Sequence, residues 1–233
     1  MRYIPIVIIT FFTIIVSDPL FGQEDTLNIA GLGISIDPTK VSEMVYFGSF
    51  WQNYPTPITS TSAIEFYVPI KVTNKFRLEP SIGLFFTSSS TTTTPIVHGN
   101  GYSETTTNDA SVVTIGIRGI FNSSLSNSLS LYYGPRLEFG FVSSTSEDGQ
   151  PSQDYKTTTT ETDITLGGVI GVEYFPIRKF SFGGEISLNY MTFGNPYVTN
   201  EDNPPTQPST YTSERDQHTL YTGALFFMRW YFL

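Results

Sequence analysis

Cysteine is absent from all 233 residues, which excludes disulfides, thiolate metal sites, a cysteine nucleophile and the lipidated cysteine of a bacterial lipoprotein. Charge is scarce as well. Only 14% of residues are charged, and 12 basic against 21 acidic residues leave a net charge of −9, which disfavours nucleic acid as a partner. Beyond the first 22 residues there is no run of ~18 apolar residues, so no later segment has the character of a transmembrane helix. Aromatic residues are abundant instead, at 15%, and Thr, Ser and Gly supply much of the remainder. That mixture favours strands over helices.

Residues 1–22 have the tripartite form of an export signal: one positive charge at Arg2, an apolar core from Ile4 to Val16, and small or turn-forming residues at Ser17 and Gly22. The core is shorter than the ~20 residues that span a bilayer as a helix, so cleavage is expected near Gly22/Gln23. Residues 23–233 are then one domain, because no proline-rich or glycine-rich linker divides them.

Period-two alternation predicts eight strands, over 27–37, 63–70, 76–87, 111–121, 129–142, 162–175, 180–192 and 218–233. Short turns follow the second, fourth and sixth, and segments of roughly 20 residues or more follow the first, third, fifth and seventh. Short turns on one side and long loops on the other characterise up-and-down membrane barrels. The fold class expected is all-β: an eight-stranded antiparallel transmembrane β-barrel with a filled polar interior.

Side-chain volume decides which face looks at lipid. One face of the strands carries bulky Phe, Leu, Ile and Tyr; the other mixes charges with glycines such as Gly33, Gly83, Gly116, Gly171 and Gly183. Glycine weakens an exposed strand for no gain, but it suits a narrow interior that long side chains must fill. The inward face then carries a charge network of Glu65, Arg77, Glu79, Arg118, Arg136, Glu138, Glu173, Glu185 and Arg229. Buried charges need partners, and four cations against five carboxylates is near balance. Structural filling is the reading preferred to acid/base catalysis, which would need substrate access. Tyr67, Phe76, Phe121, Tyr133, Tyr174, Phe180 and Trp230 lie beside short turns or the C-terminus and are expected to form an interfacial girdle.

Two segments repeat a pattern: Glu65-Phe66-Tyr67-Val68-Pro69-Ile70 before Phe76-Arg77-Leu78-Glu79-Pro80, and Glu173-Tyr174-Phe175-Pro176-Ile177 before Phe180 to Glu185. With the aromatic terminus Arg229-Trp230-Tyr231-Phe232-Leu233, they resemble the OmpA/OmpX-like outer-membrane β-barrel family over 27–233. The resemblance implies eight antiparallel strands, a filled interior, a bacterial outer-membrane location with outer-membrane lipid as neighbour, and recognition of the last strand by the barrel-assembly machinery. It carries over no catalytic or ligand site.

Function is therefore sought in the loops, 38–61, 87–110, 143–162 and 193–217. They hold eleven acidic residues against Lys40, Lys156 and Arg215, nearly the whole net charge. Binding of a cation or a cationic partner is one reading, and solvated loops that deter aggregation are the preferred one. Tyr46, Phe47, Phe50, Trp51 and Tyr54 of the first loop form either an adhesive patch for an extracellular partner or packing over the barrel mouth. The threonine-rich tracts at 88–94 and 157–160 are expected to prolong their strands as hairpins beyond the membrane. Pro204, Pro205 and Pro208 suggest irregular backbone in the fourth loop.

The leading expectation is a non-enzymatic surface protein, structural or adhesive, with no cofactor. A narrow, porin-like diffusion channel is the alternative. A lipid-modifying membrane enzyme comes third, because only His98 and His218 are available as general bases.

Overall fold

The computed structural model describes residues 30–38, 63–73, 75–93, 104–150, 153–177, 179–203 and 209–232. The export signal, the first-loop aromatic cluster, His98 and the prolines at 204, 205 and 208 lie outside these residues. Among the described residues the strands are β1 (Ala30–Ile36), β2 (Ile64–Tyr67), β3 (Ile70–Lys71), β4 (Phe76–Thr93), β5 (Glu104–Ser124), β6 (Leu129–Gln150), β7 (Gln153–Ile177), β8 (Phe180–Thr192), β9 (Tyr197–Asn203), β10 (Ser209–Thr212) and β11 (His218–Phe232).

Eight of the positions in this series close into a ring. Each strand pairs antiparallel with the next, from β1 through β2/β3, β4, β5, β6, β7 and β8 to β11, and β11 returns to β1 with Ala30 facing Phe232. β2 and β3 are one strand interrupted at Val68 and Pro69, opposite Pro80 of β4. Ile64 to Tyr67 and Ile70 keep a single register against β4, but Pro69 and Pro80 lack N–H groups, so between them only Val68 N donates, to Pro80 O at 3.0 Å. Ring closure leaves no open edge in the apolar region.

Burial alternates with a period of two, and it is inverted relative to a soluble protein. Leu166, Ile186 and Phe226 point outward and are 56%, 61% and 68% exposed, whereas Glu79, Glu173 and Arg229 are fully buried inside. On β7 the outward apolar positions run from Ile164 to Tyr174, the ~9–11 residues that cross a hydrocarbon layer as a tilted strand. Rings mark the lower edge of this belt. Phe76, Phe121 and Tyr133 touch in series, as do Tyr174, Phe182, Phe180 and Trp230, with centroids 5.0–6.3 Å apart. Tyr67 does not belong to that girdle. It sits on the inward parity of β2, opposite Gly33, and its ring is buried in the lumen.

Above the belt the strands continue, as the threonine tracts predict. Ser88 to Thr93 pair with Glu104 to Asp109, and Ser143 to Ser146 with Thr157 to Thr160. The fourth loop departs from the expectation of irregular backbone, since 197–203 and 209–212 form the β9/β10 hairpin and β9 adds to the free edge of β7. The β-forming run Tyr197-Val198-Thr199 and an unpaired edge beyond Thr162 account for this.

Candidate functional site

All nine inward charges predicted from the sequence lie within the barrel, and ion pairs join its opposite walls. Toward the short turns, Arg77 and Glu79 of β4, Glu173 of β7 and Arg229 of β11 form a closed four-membered circuit. Arg77 contacts Glu79 at 2.6 Å and Glu173 at 2.8 Å, and Arg229 contacts the same two carboxylates at 3.1 and 2.9 Å. Nearer the outer mouth, Arg118 of β5 reaches Glu185 of β8 at 3.2 Å, Glu65 of β2 at 3.4 Å and Glu79 at 3.7 Å. Arg136 pairs with Glu138 and approaches Glu65 at 3.8 Å.

Hydroxyls add donors to two of these carboxylates. Tyr132 donates to Glu185 at 2.8 Å, while Tyr231 and Ser181 both donate to Glu173 Oε1, at 2.7 and 2.5 Å. A buried ion pair repays its desolvation only when such additional bonds surround it.

Three inward rings pack around the guanidinium groups. Arg229 lies 4.0 Å from the Phe227 ring centre, Arg118 lies 4.7 Å from that of Tyr67, and Arg77 lies 5.2 Å from that of Tyr132. The rings fit because glycines face them. A Cβ on Gly33 would collide with the Tyr67 ring, and one on Gly171 with the Cζ and hydroxyl of Tyr132. Charge, ring and missing side chain thus form one packed unit across the lumen.

A second layer, unforeseen from the sequence, lines the interior on β4, β5 and β6 beyond the charges. Phe85, Val112 and Val142 face one another across β4, β5 and β6, and with Ala63 they form a buried apolar cluster. The doublets Phe85-Phe86, Val112-Val113 and Phe141-Val142 carry its signal, because two successive apolar residues on a strand place apolar groups on both faces.

At the outer rim a bulge joins β8 to β9. Ile164 faces Thr192 and Thr160 faces Tyr197, so four steps along β7 oppose five along the other chain segment. Gly194 is pressed against the Thr162 carbonyl, where a Cβ would collide, and its amide donates to Asp163 Oδ1 at 2.9 Å. Arg215 fastens the bend. It pairs with Glu161 at 2.8 Å, donates from Nε to Gln217 at 2.7 Å and covers Phe193 at 4.7 Å. Burial and the nearby Asp163 raise the pKa of Glu161 above the ordinary carboxylate value, against the pull of Arg215.

His218 is exposed at the outer start of β11, with its ring 5.6 Å from that of Tyr190. Among the described residues no group of three or more His, Asp or Glu side chains is placed to hold a metal ion.

An antiparallel ring of eight strands, apolar outside and ion-paired inside, is a transmembrane β-barrel. Neither a protein-family profile nor a curated protein matches the chain. Solved structures similar to it include outer-membrane proteins. Acinetobacter baumannii CarO is 11% identical, with a TM-score of 0.41, over 90% of this chain and 100% of that one. A major outer membrane protein from Thermus thermophilus is 14% identical, with a TM-score of 0.41, over 86% and 99%. The outer membrane protease OmpT from Escherichia coli is 12% identical, with a TM-score of 0.38, over 72% and 63%. Likenesses this distant carry no information on role.

Proposed function

We propose that this chain is a non-enzymatic protein of the bacterial outer membrane. Its barrel is a closed anchor, and its protruding acidic hairpins act at the cell surface, in a structural role or in binding and adhesion. The observation that carries this reading is the bridging of opposite walls by Arg77, Arg118 and Arg229, with an apolar layer of Phe85, Val112 and Val142 above them. An interior filled this way disfavours both a diffusion path and a substrate cavity within the wall.

The surface above the membrane suits a cationic partner. Asp109, Glu147, Glu201, Glu214 and Asp216 are exposed on the hairpins and their connections, where Lys156 is already paired with Glu147 at 2.8 Å. A partner held by such charges binds more weakly as salt rises.

Whole-cell binding to immobilised cationic proteins tests the reading. One variant has the β4/β5 and β6/β7 hairpins shortened to the rim; another has Tyr46, Phe47, Phe50, Trp51 and Tyr54 replaced by serine. Loss of binding in the shortened form, at unchanged surface abundance, is the expected outcome. Equal binding by wild type and the shortened form at every salt concentration would contradict a binding role for the hairpins.

A further inference from the structure

We infer that the outward groove at the upper rim of the barrel is a binding site for a sugar unit of the glycolipid that surrounds the protein in the outer leaflet. This rests on the outer-membrane reading above. The groove has a volume of about 510 Å³ and lies between the wall of β5, β6 and β7 and the β8–β9 bend. Its hydroxyl-bearing side chains are Ser111, Ser143, Thr160 and Thr162, and Phe141 and Tyr197 supply its rings.

Three features select the occupant. The first is continuity with the lipid-facing belt. Phe141 belongs to the apolar outer face, and Ser143 is the next outward position above it on β6. The face that meets acyl chains below therefore meets head groups above, without a change of side.

The second feature is the bulge. On β8 the odd-numbered residues through Met191 point inward, and Phe193 just beyond the strand is buried as well. One inserted residue reverses that parity, so Tyr197 aligns with outward Thr160 and remains 48% exposed beside the groove.

The third feature is charge. The groove's described lining holds no basic side chain, and Arg215, the cation beside it, is already engaged by the lining carboxylate Glu161. A phosphate group meets no free counter-charge there. Hydroxyls that both donate and accept, beside an exposed ring, match the hydroxyls and C–H faces of a sugar.

The test uses the full chain purified in detergent. It is titrated with lipopolysaccharide carrying its inner-core sugars, with phosphatidylethanolamine, and with the free core oligosaccharide, and bound molecules per barrel are counted by native mass spectrometry. Wild type is expected to bind the core-bearing lipid more tightly than phosphatidylethanolamine or the free oligosaccharide. Tyr197→Ala is expected to weaken that binding by about 3- to 10-fold, the scale of one aromatic contact. Thr160→Val weakens it in the same direction while keeping side-chain shape, and Tyr211→Ala, on the opposite face of the same hairpin, leaves it unchanged.

Equal binding of the glycolipid and phosphatidylethanolamine, or full retention by both Tyr197→Ala and Thr160→Val, overturns the inference while leaving the membrane barrel intact. Free oligosaccharide bound as tightly as the glycolipid assigns the groove to a soluble glycan and overturns it too. A wild-type chain that fails to insert into phospholipid vesicles overturns the membrane reading and this inference together.

Discussion

Arg118 and Arg136 face each other directly across β5 and β6 inside the barrel. Two like charges in that position repel unless carboxylates stand between them, and Glu65 contacts both, at 3.4 and 3.8 Å. Glu65→Gln removes the shared counter-charge while keeping the shape of the side chain. Breaking a buried pair from one side costs about 3–5 kcal/mol, so denaturant unfolding in lipid vesicles should show a loss of that order. Unchanged stability would mean that Glu138 and Glu185 suffice for both arginines.

Gly33 and Tyr67 are a second coupled pair. Gly33→Ala drives a methyl group into a ring fixed between Arg118 and Arg229, with an overpacking cost of about 1–3 kcal/mol. Tyr67→Ala creates a cavity and is destabilising by itself. The double variant should be less destabilised than the sum of the two, because the methyl group then enters vacated space. Simple additivity would show that the ring moves aside freely.

The outward face gives a test of orientation. Leu166→Arg, at mid-belt, should cost about 2–4 kcal/mol in a bilayer, whereas Thr158→Arg, on the same side of β7 but above the belt, should stay within about 0.5 kcal/mol. Similar small effects at both positions would fit an aqueous exterior.

Acidity acts on the rim through Glu161. Its folded-state pKa is raised by burial and by Asp163, so it binds a proton more readily in the native bend than in the unfolded chain. The stabilisation this provides is complete below the ordinary carboxylate pKa of about 4.3 and is lost as pH rises through the raised value. Arg215→Ala removes the opposing cation and should move that loss to higher pH. Hydrogen exchange at the Gly194 amide, which donates to Asp163, should then rise more steeply with pH than the intrinsic chemistry of exchange allows. A pH profile identical to that of wild type would show that Arg215 does not tune the site.

The ring of strands and its inward charges were legible in the sequence, because alternation with a period of two, together with glycine on the charged face, is a direct consequence of a narrow lumen. Glu65, Arg77, Arg118 and Arg229 follow from parity alone. Their pairing does not, since it depends on which walls lie opposite once the ring closes.

Tyr67 was misplaced because its position beside a short turn suggested the girdle, although its parity with Glu65 already pointed inward. Phe227 shares the parity of Arg229, and the inward Gly183 opposite it leaves space for its ring. The β9/β10 hairpin was obscured by prolines beside it. The edge it joins exists only because β7 outruns β8, which no local pattern reveals.

Whether the lumen is closed bears most directly on the whole account. Purified protein reconstituted in a planar bilayer should give no stable single-channel conductance, because the ion pairs of Arg77, Arg118 and Arg229 cross the interior between separated walls. Steady, reproducible conductance steps from the wild-type protein would contradict the closed anchor and establish a diffusion channel in its place.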